Sequence, residues 1–144
     1  MLVGQILSNK AIEATVTIRP DMKISDAAEL LSSRKIGAVV VSKDGTTAEG
    51  ILSERDIVRE LGRVGAGVLT SPVSELMTSS LKTCAPDETA LQVLEKMSAG
   101  RFRHMPVLQD GKMIGLVSIG DVVKARLDEL AMERNALEGM IMGH

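Results

Sequence analysis

Two short motifs hold most of the chemistry this sequence can offer, Ser53-x-x-Asp56 and Ser118-x-x-Asp121. Each follows an apolar run, and each admits two uses. Serine and aspartate at this spacing form a helix-capping box, in which each side chain accepts the other residue's backbone N–H. The carboxylate also offers two acceptor oxygens, which suits a pair of neighbouring hydroxyls. The free N–H groups at the start of the helix that follows favour an anion. Arg103-His104 adds two cationic groups that either bind phosphate or form a solvated basic turn. Cys84 is either a reactive thiol or a small apolar strand residue.

Composition removes several classes of function. As the sole cysteine, Cys84 excludes an intramolecular disulfide and a cysteine-rich zinc site, and with only two histidines no metal site is expected. A formal net charge of −2 argues against gripping a phosphate backbone, and one Phe with no Tyr or Trp leaves no base-stacking platform, so no nucleic acid is expected. No apolar run is long enough to span a bilayer, and Met1–Leu7 lacks the basic start of a signal peptide, so the expected address is cytoplasmic, without a membrane. No nucleophile–base pair, metal cluster or glycine-rich phosphate loop is present. The expectation is a binding protein and not an enzyme.

The elements that must position these residues occur twice. Aligning Pro20-Asp21 with Pro86-Asp87 gives an offset of 66 and sets Ile24, Ala27, Ala28 and Leu31 against Ala90, Val93, Leu94 and Met97. After Asp44-Gly45 and Asp110-Gly111 the offset becomes 65, and Gly50-Ile51-Leu52-Ser53 matches Gly115-Leu116-Val117-Ser118. Upstream, Val3, Ile6 and Leu7 echo Val73, Leu76 and Met77. The spacing of the first group is one face of a helix. Thr89-x-x-Gln92 caps the second such helix, whereas Lys23 caps the first poorly. Ala38–Val41 with Gly50–Leu52, and Met105–Leu108 with Met113–Val117, predict hairpins around Asp44-Gly45 and Asp110-Gly111. Pro106 predicts an edge position or a strand start. Each copy therefore reads strand, helix, strand, strand, helix. One copy is too small for a stable core, so the two should pack about a pseudo-twofold axis, and any cleft on that axis should occur twice.

The segments Lys35–Val41 and Gly50–Val58, and again Gly100–Val107 and Gly115–Val123, resemble CBS motifs. Over about residues 3–125 the chain resembles a stand-alone tandem CBS pair, or Bateman module. The resemblance implies an α/β (α+β) fold of two pseudo-twofold-related β-α-β-β-α motifs packed sheet to sheet, plus a C-terminal helix. The expected divisions are 1–62, first motif; 63–72, glycine-rich linker; 73–126, second motif; and 127–144, the C-terminal helix. The resemblance further implies a regulatory module binding AMP, ADP, ATP, NAD(H) or S-adenosylmethionine in clefts between the copies, with the aspartates on ribose. Carried onto this chain, Ser53, Arg55 and Asp56 face Thr83, Cys84, Arg103 and His104 in a first cleft. Ser118 and Asp121 face Thr17, Ile18, Arg19, Gly37 and Ala38 in a second. The first is the more basic and should favour a phosphorylated nucleotide.

CBS modules often pair, and the tail adds a heptad-like stripe of Val123, Leu127, Leu130, Leu137 and Ile141, broken by Arg134. The stripe either packs on its own module or forms the seam of a homodimer. Two functions follow: a nucleotide sensor acting on a regulated partner protein, or a structural dimerisation module with vestigial clefts.

Overall fold

Apolar residues at i, i+3 and i+7 fix the two helices that carry the cores. Ile24, Ala27 and Leu31 are buried on α2 (Ile24–Arg34), and Ala90, Val93 and Met97 are buried on α4 (Ala90–Gly100). The structure is a computed structural model and describes residues 1–10 and 16–141. The other elements are α1 (Val3–Asn9), β1 (Thr17–Ile18), β2 (Ala38–Val41), β3 (Gly50–Ser53), α3 (Glu54–Val64), β4 (His104–Gln109), β5 (Lys112–Ser118) and α5 (Ile119–Ile141). Single-turn 3-10 helices lie at Ala66–Thr70 and Val73–Glu75. The expected linker is therefore ordered, with Val68 buried in it. The result is a mixed α+β fold of two repeats. Among the described residues no helix is long and apolar enough to cross a membrane.

In the first repeat β1 runs parallel to β2, with Thr17 opposite Val40, and β2 runs antiparallel to β3, with Ala38 opposite Ser53. In the second repeat β4 and β5 are antiparallel, with His104 opposite Ser118. The expected first strand of this repeat shrinks to one parallel bridge between Cys84 and Val107. Pro106 lies inside β4, not at its start. Its carbonyl accepts the Cys84 N–H at 3.0 Å, so the missing N–H of the proline falls on the sparsely paired side of the strand. The hairpins also differ. Asp110 and Gly111 both have positive φ (53° and 78°) and close a two-residue turn. Asp44-Gly45 sits instead in the longer loop 42–49, where the Asp44 carboxylate accepts the N–H groups of Thr46 (2.9 Å) and Thr47 (2.8 Å).

The hydrophobic cores cross the sequence division. Val3 and Ile6 of α1 pack with Cys84, Val93, Met97, Met105 and Val117 of the second repeat. Val73, Leu76 and Met77 pack with Ile18, Ile24, Leu31 and Leu52 of the first. The backbone repeats the exchange: Val3 N–H donates to Glu88 O (2.9 Å) and Val73 N–H to Met22 O (2.8 Å). Residues ahead of each repeat thus complete the core of the other.

α5 continues past the module. Val122 and Ala125 are buried, whereas Leu127, Leu130, Leu137, Met140 and Ile141 are exposed. The tail's apolar stripe is therefore not packed on its own module. Arg134 pairs with Glu138 one turn on, at 3.8 Å, and residues 142–144 of the expected C-terminal helix lie outside the described residues. Ile6→Ala tests the exchange, because Ile6 is only 4% exposed although it lies near the N-terminus. It should cost about 2–5 kcal/mol of unfolding free energy in a denaturant titration; a loss below about 0.5 kcal/mol would remove α1 from the second core.

Candidate functional site

β3 ends at Ser53 and α3 starts at Glu54, so Ser53 is the N-cap of α3. Its hydroxyl accepts Asp56 N–H at 3.2 Å and donates to Asp56 Oδ2 at 2.9 Å, and its own N–H donates to the same oxygen at 2.9 Å. The cap uses Oδ2. Oδ1 accepts from the Arg59 guanidinium at 3.1 Å. Asp56 is only 7% exposed and is one of two buried polar side chains among the described residues.

Asp56 lines a cleft of about 280 Å³ together with Ser53, Arg55, Arg103 and His104, which unites five of the seven residues assigned to the first site. Thr83 and Cys84 do not line it; the segment just before them, with Thr78, Ser80, Leu81 and Lys82, does. Cys84 instead lies in the second core, its Sγ 3.8 Å from Pro106 O. Burial, with the nearby Glu88 carboxylate and against Lys96, pushes its thiol pKa up to about 11, so Cys84 is the small strand residue and not a thiolate. Arg59 and Arg101 join Arg55, Lys82 and Arg103 around the cleft, against the carboxylates of Glu54 and Asp56. Five cations and two anions make it attractive to an anionic ligand.

The second site is built differently. Ser118 N–H donates to Asp121 Oδ2 at 2.9 Å and Ser118 Oγ accepts Asp121 N–H at 3.1 Å, which is the same cap. The Lys10 ammonium also donates to Asp121 Oδ2, at 2.8 Å, and to Leu116 O at 3.0 Å. Burial works against the Asp121 carboxylate, but the bonds from Lys10 and Ser118 outweigh it and hold its pKa below the ordinary value. The cavity that Asp121 lines, about 340 Å³, is walled by Met1 and by residues of α1 and α5 such as Asn9 and Lys124. Thr17, Ile18, Arg19, Gly37 and Ala38 do not line it. Gly37 lies in the first cleft, and a Cβ on it would come 3.8 Å from both Glu54 Oε1 and His104 Cε1. Ala38 is buried at the start of β2, and Arg19 bonds the exposed Asp21.

His104 stands where the two repeats meet. Burial, with Lys10 and Arg103, lowers its pKa against the pull of Asp121 and Glu54, so the imidazole favours the neutral form. Residue types alone did not single out Arg59, Lys82, Arg101 or Lys10. The offset of 70 between the segments at Val3 and Val73 sets Lys10 against Ser80, and that correspondence holds the missing signal.

Two crossed repeats, each with a capped aspartate at a helix start, define a paired-repeat module. The CBS domain profile matches residues 3–63 and 73–128, and the chain belongs to the CBS domain family. It is similar to a mitochondrial CBS domain-containing protein of Arabidopsis thaliana, at 36% identity over 85% of this chain. The match spans 62% of the length of that protein. A CBS-domain containing protein of Agrobacterium tumefaciens shares its structure with a TM-score of 0.82, at 43% identity over 88% of this chain and 99% of that one. CBSX2 of Arabidopsis thaliana, crystallised in complex with AMP, matches with a TM-score of 0.71 and 27% identity over 88% of this chain and 96% of that one.

The lowered pKa of His104 makes stability depend on pH. The unfolded chain takes up the proton first, near pH 6.5, so the contribution is fully present above that value and is lost as pH falls toward the folded pKa. The other lowered groups, Asp44, Glu60, Glu88 and Asp121, start from 3.8 or 4.5 and act at lower pH. Melting temperatures should therefore drop between pH 7 and about pH 5 in the native protein and less so in His104→Gln; parallel curves would show that His104 protonates freely in the fold.

Proposed function

We propose that the chain is a regulatory adenine-nucleotide-binding module, with AMP, ADP, ATP or NAD(H) as the candidate ligands and a partner protein as the target of its signal. One observation carries the reading: a buried, pre-oriented aspartate opens onto a cleft rimmed by five cations. Asp56 Oδ1 would accept from the ribose hydroxyls, and Arg59, now holding that oxygen, would turn with Arg103 to the phosphate. With Phe102 the only aromatic residue, the adenine would lie mostly against aliphatic groups such as Ile51 and Leu81. The AMP complex of CBSX2 supports the ligand class. The chain then works by binding and not by catalysis, with the cytoplasm as the proposed compartment.

The alternative, a structural module with vestigial clefts, predicts no effect of nucleotide. Titration of AMP into the full chain separates the two. Asp56→Ala should weaken AMP binding by roughly 10- to 150-fold, from about 1.5–3 kcal/mol of lost hydrogen bonding to a charged acceptor. Arg103→Ala should weaken AMP but not adenosine. A lowered melting temperature with unchanged isotherms would leave Asp56 a cap only.

The exposed stripe on α5 favours a homodimer as the working unit. Leu127 is 61% exposed and Leu137 59%, and burying such a side chain is worth about 1.5–3 kcal/mol. A closed twofold pair is the commonest solution. Removing residues 131–144 keeps Glu129, which pairs with the Met1 amino group. The truncated chain should dimerise at least about tenfold more weakly by sedimentation or light scattering and still bind AMP; an unchanged dimer would take the tail out of the interface.

A further inference from the structure

The two aspartates share one capping geometry but not one environment. Asp56 Oδ1 is held by Arg59, which is 61% exposed and sits on the same helix at i+3. That guanidinium lines the first cleft, so an entering phosphate offers it a new partner as the ribose takes its place. Lys10 reaches Asp121 from another element, the end of α1, and is fixed twice, on the carboxylate and on the carbonyl of Leu116. α1 is in turn anchored by Val3 and Ile6 in the second core. Ser80, at the matching place in the first cleft, is neutral. Ribose hydroxyls arriving at Asp121 would have to displace an ammonium–carboxylate ion pair, and as uncharged donors they would not restore its Coulomb attraction. Besides Lys10, the only cationic side chain lining the cavity at Asp121 among the described residues is Lys124, where the first cleft has five.

We propose that Lys10 is the built-in occupant of the second cleft, so that each chain takes one adenine nucleotide, at Asp56, and replacing Lys10 opens a second site at Asp121. The inference rests on the nucleotide reading of the first cleft and extends it to ligand count.

The test is calorimetric titration of AMP into the full chain as native protein, Asp56→Ala, Lys10→Met and the double variant, with melting curves to verify folding. The expected counts of sites with native-like affinity are one, none, two and one. Adding Asp121→Asn to Lys10→Met should return the count to one. Asp121→Asn alone should leave the single native site unchanged, and this variant tests the idea even if Lys10→Met does not fold. Two sites in the native chain, one of them lost in Asp121→Asn, would overturn the proposal, as would a single site in Lys10→Met. No binding to native protein with one site in Lys10→Met would sink the first-cleft reading and keep the role of Lys10. No binding to any variant would sink both.

Discussion

Neither repeat closes its own core, and the rest of the architecture depends on that. The second core is completed by Val3 and Ile6, the first by Val73, Leu76 and Met77. The exchange is hydrophobic in energy but exact in its backbone bonding. Met1 O accepts the Ala90 N–H (2.8 Å) and Ser71 O accepts the Ile24 N–H (3.0 Å), so each incoming segment satisfies an orphan donor at the start of the other repeat's helix. Lys23 caps α2 with no side-chain bond, and this backbone bond serves in its place. Separating the repeats would expose two apolar faces and leave helix N–H groups unpaired, which is why the halves form one unit.

The exchange also determines what lines the clefts. A segment that has packed onto the opposite repeat must return to its own, and its route passes the cleft mouth. The return after Val73–Met77 supplies Thr78, Ser80, Leu81 and Lys82 to the first cleft. The return after α1 begins with Lys10, at Asp121. One frame thus carries two electrostatic settings through few side chains: Arg55, Arg59 and Arg103 line the first cleft, with Ser80 where the second has Lys10 on its aspartate. Pseudo-symmetry of the backbone does not oblige the two sites to share a ligand.

Periodicity and capping were legible in the sequence because they are local. The buried faces of α2 and α4, the caps at Ser53, Thr89 and Ser118, and the strand pairs each follow from residues a few positions apart. The destination of Val3 and Ile6 was not legible: their apolarity requires burial but does not say in which core. The two Asp-Gly pairs look alike in sequence, yet one makes a tight turn and the other a side-chain-braced loop, because Ser42, Thr46 and Thr47 supply local partners to Asp44. Thr78 to Lys82 reads as an ordinary polar connector, and only the crossing of the chain gives it a wall to form. Cys84 keeps only a single bridge to Val107 where a strand was expected, and its side chain turns into the core.

Capping and binding are complementary roles for Asp56 because the carboxylate divides its oxygens. Oδ2 receives two bonds from Ser53, and these fix the rotamer of a side chain that is almost wholly buried. Oδ1 then faces Arg59 and the cleft with little freedom left to lose. A flexible surface aspartate would surrender rotamer entropy on meeting a ligand, whereas here folding has already fixed the side chain. The cap at Ser118 gives Asp121 Oδ2 one bond, from the Ser118 N–H, and the Lys10 ammonium supplies the second. Asp56 is thus oriented by its own cap, whereas Asp121 is held by its cap together with a cation from another element.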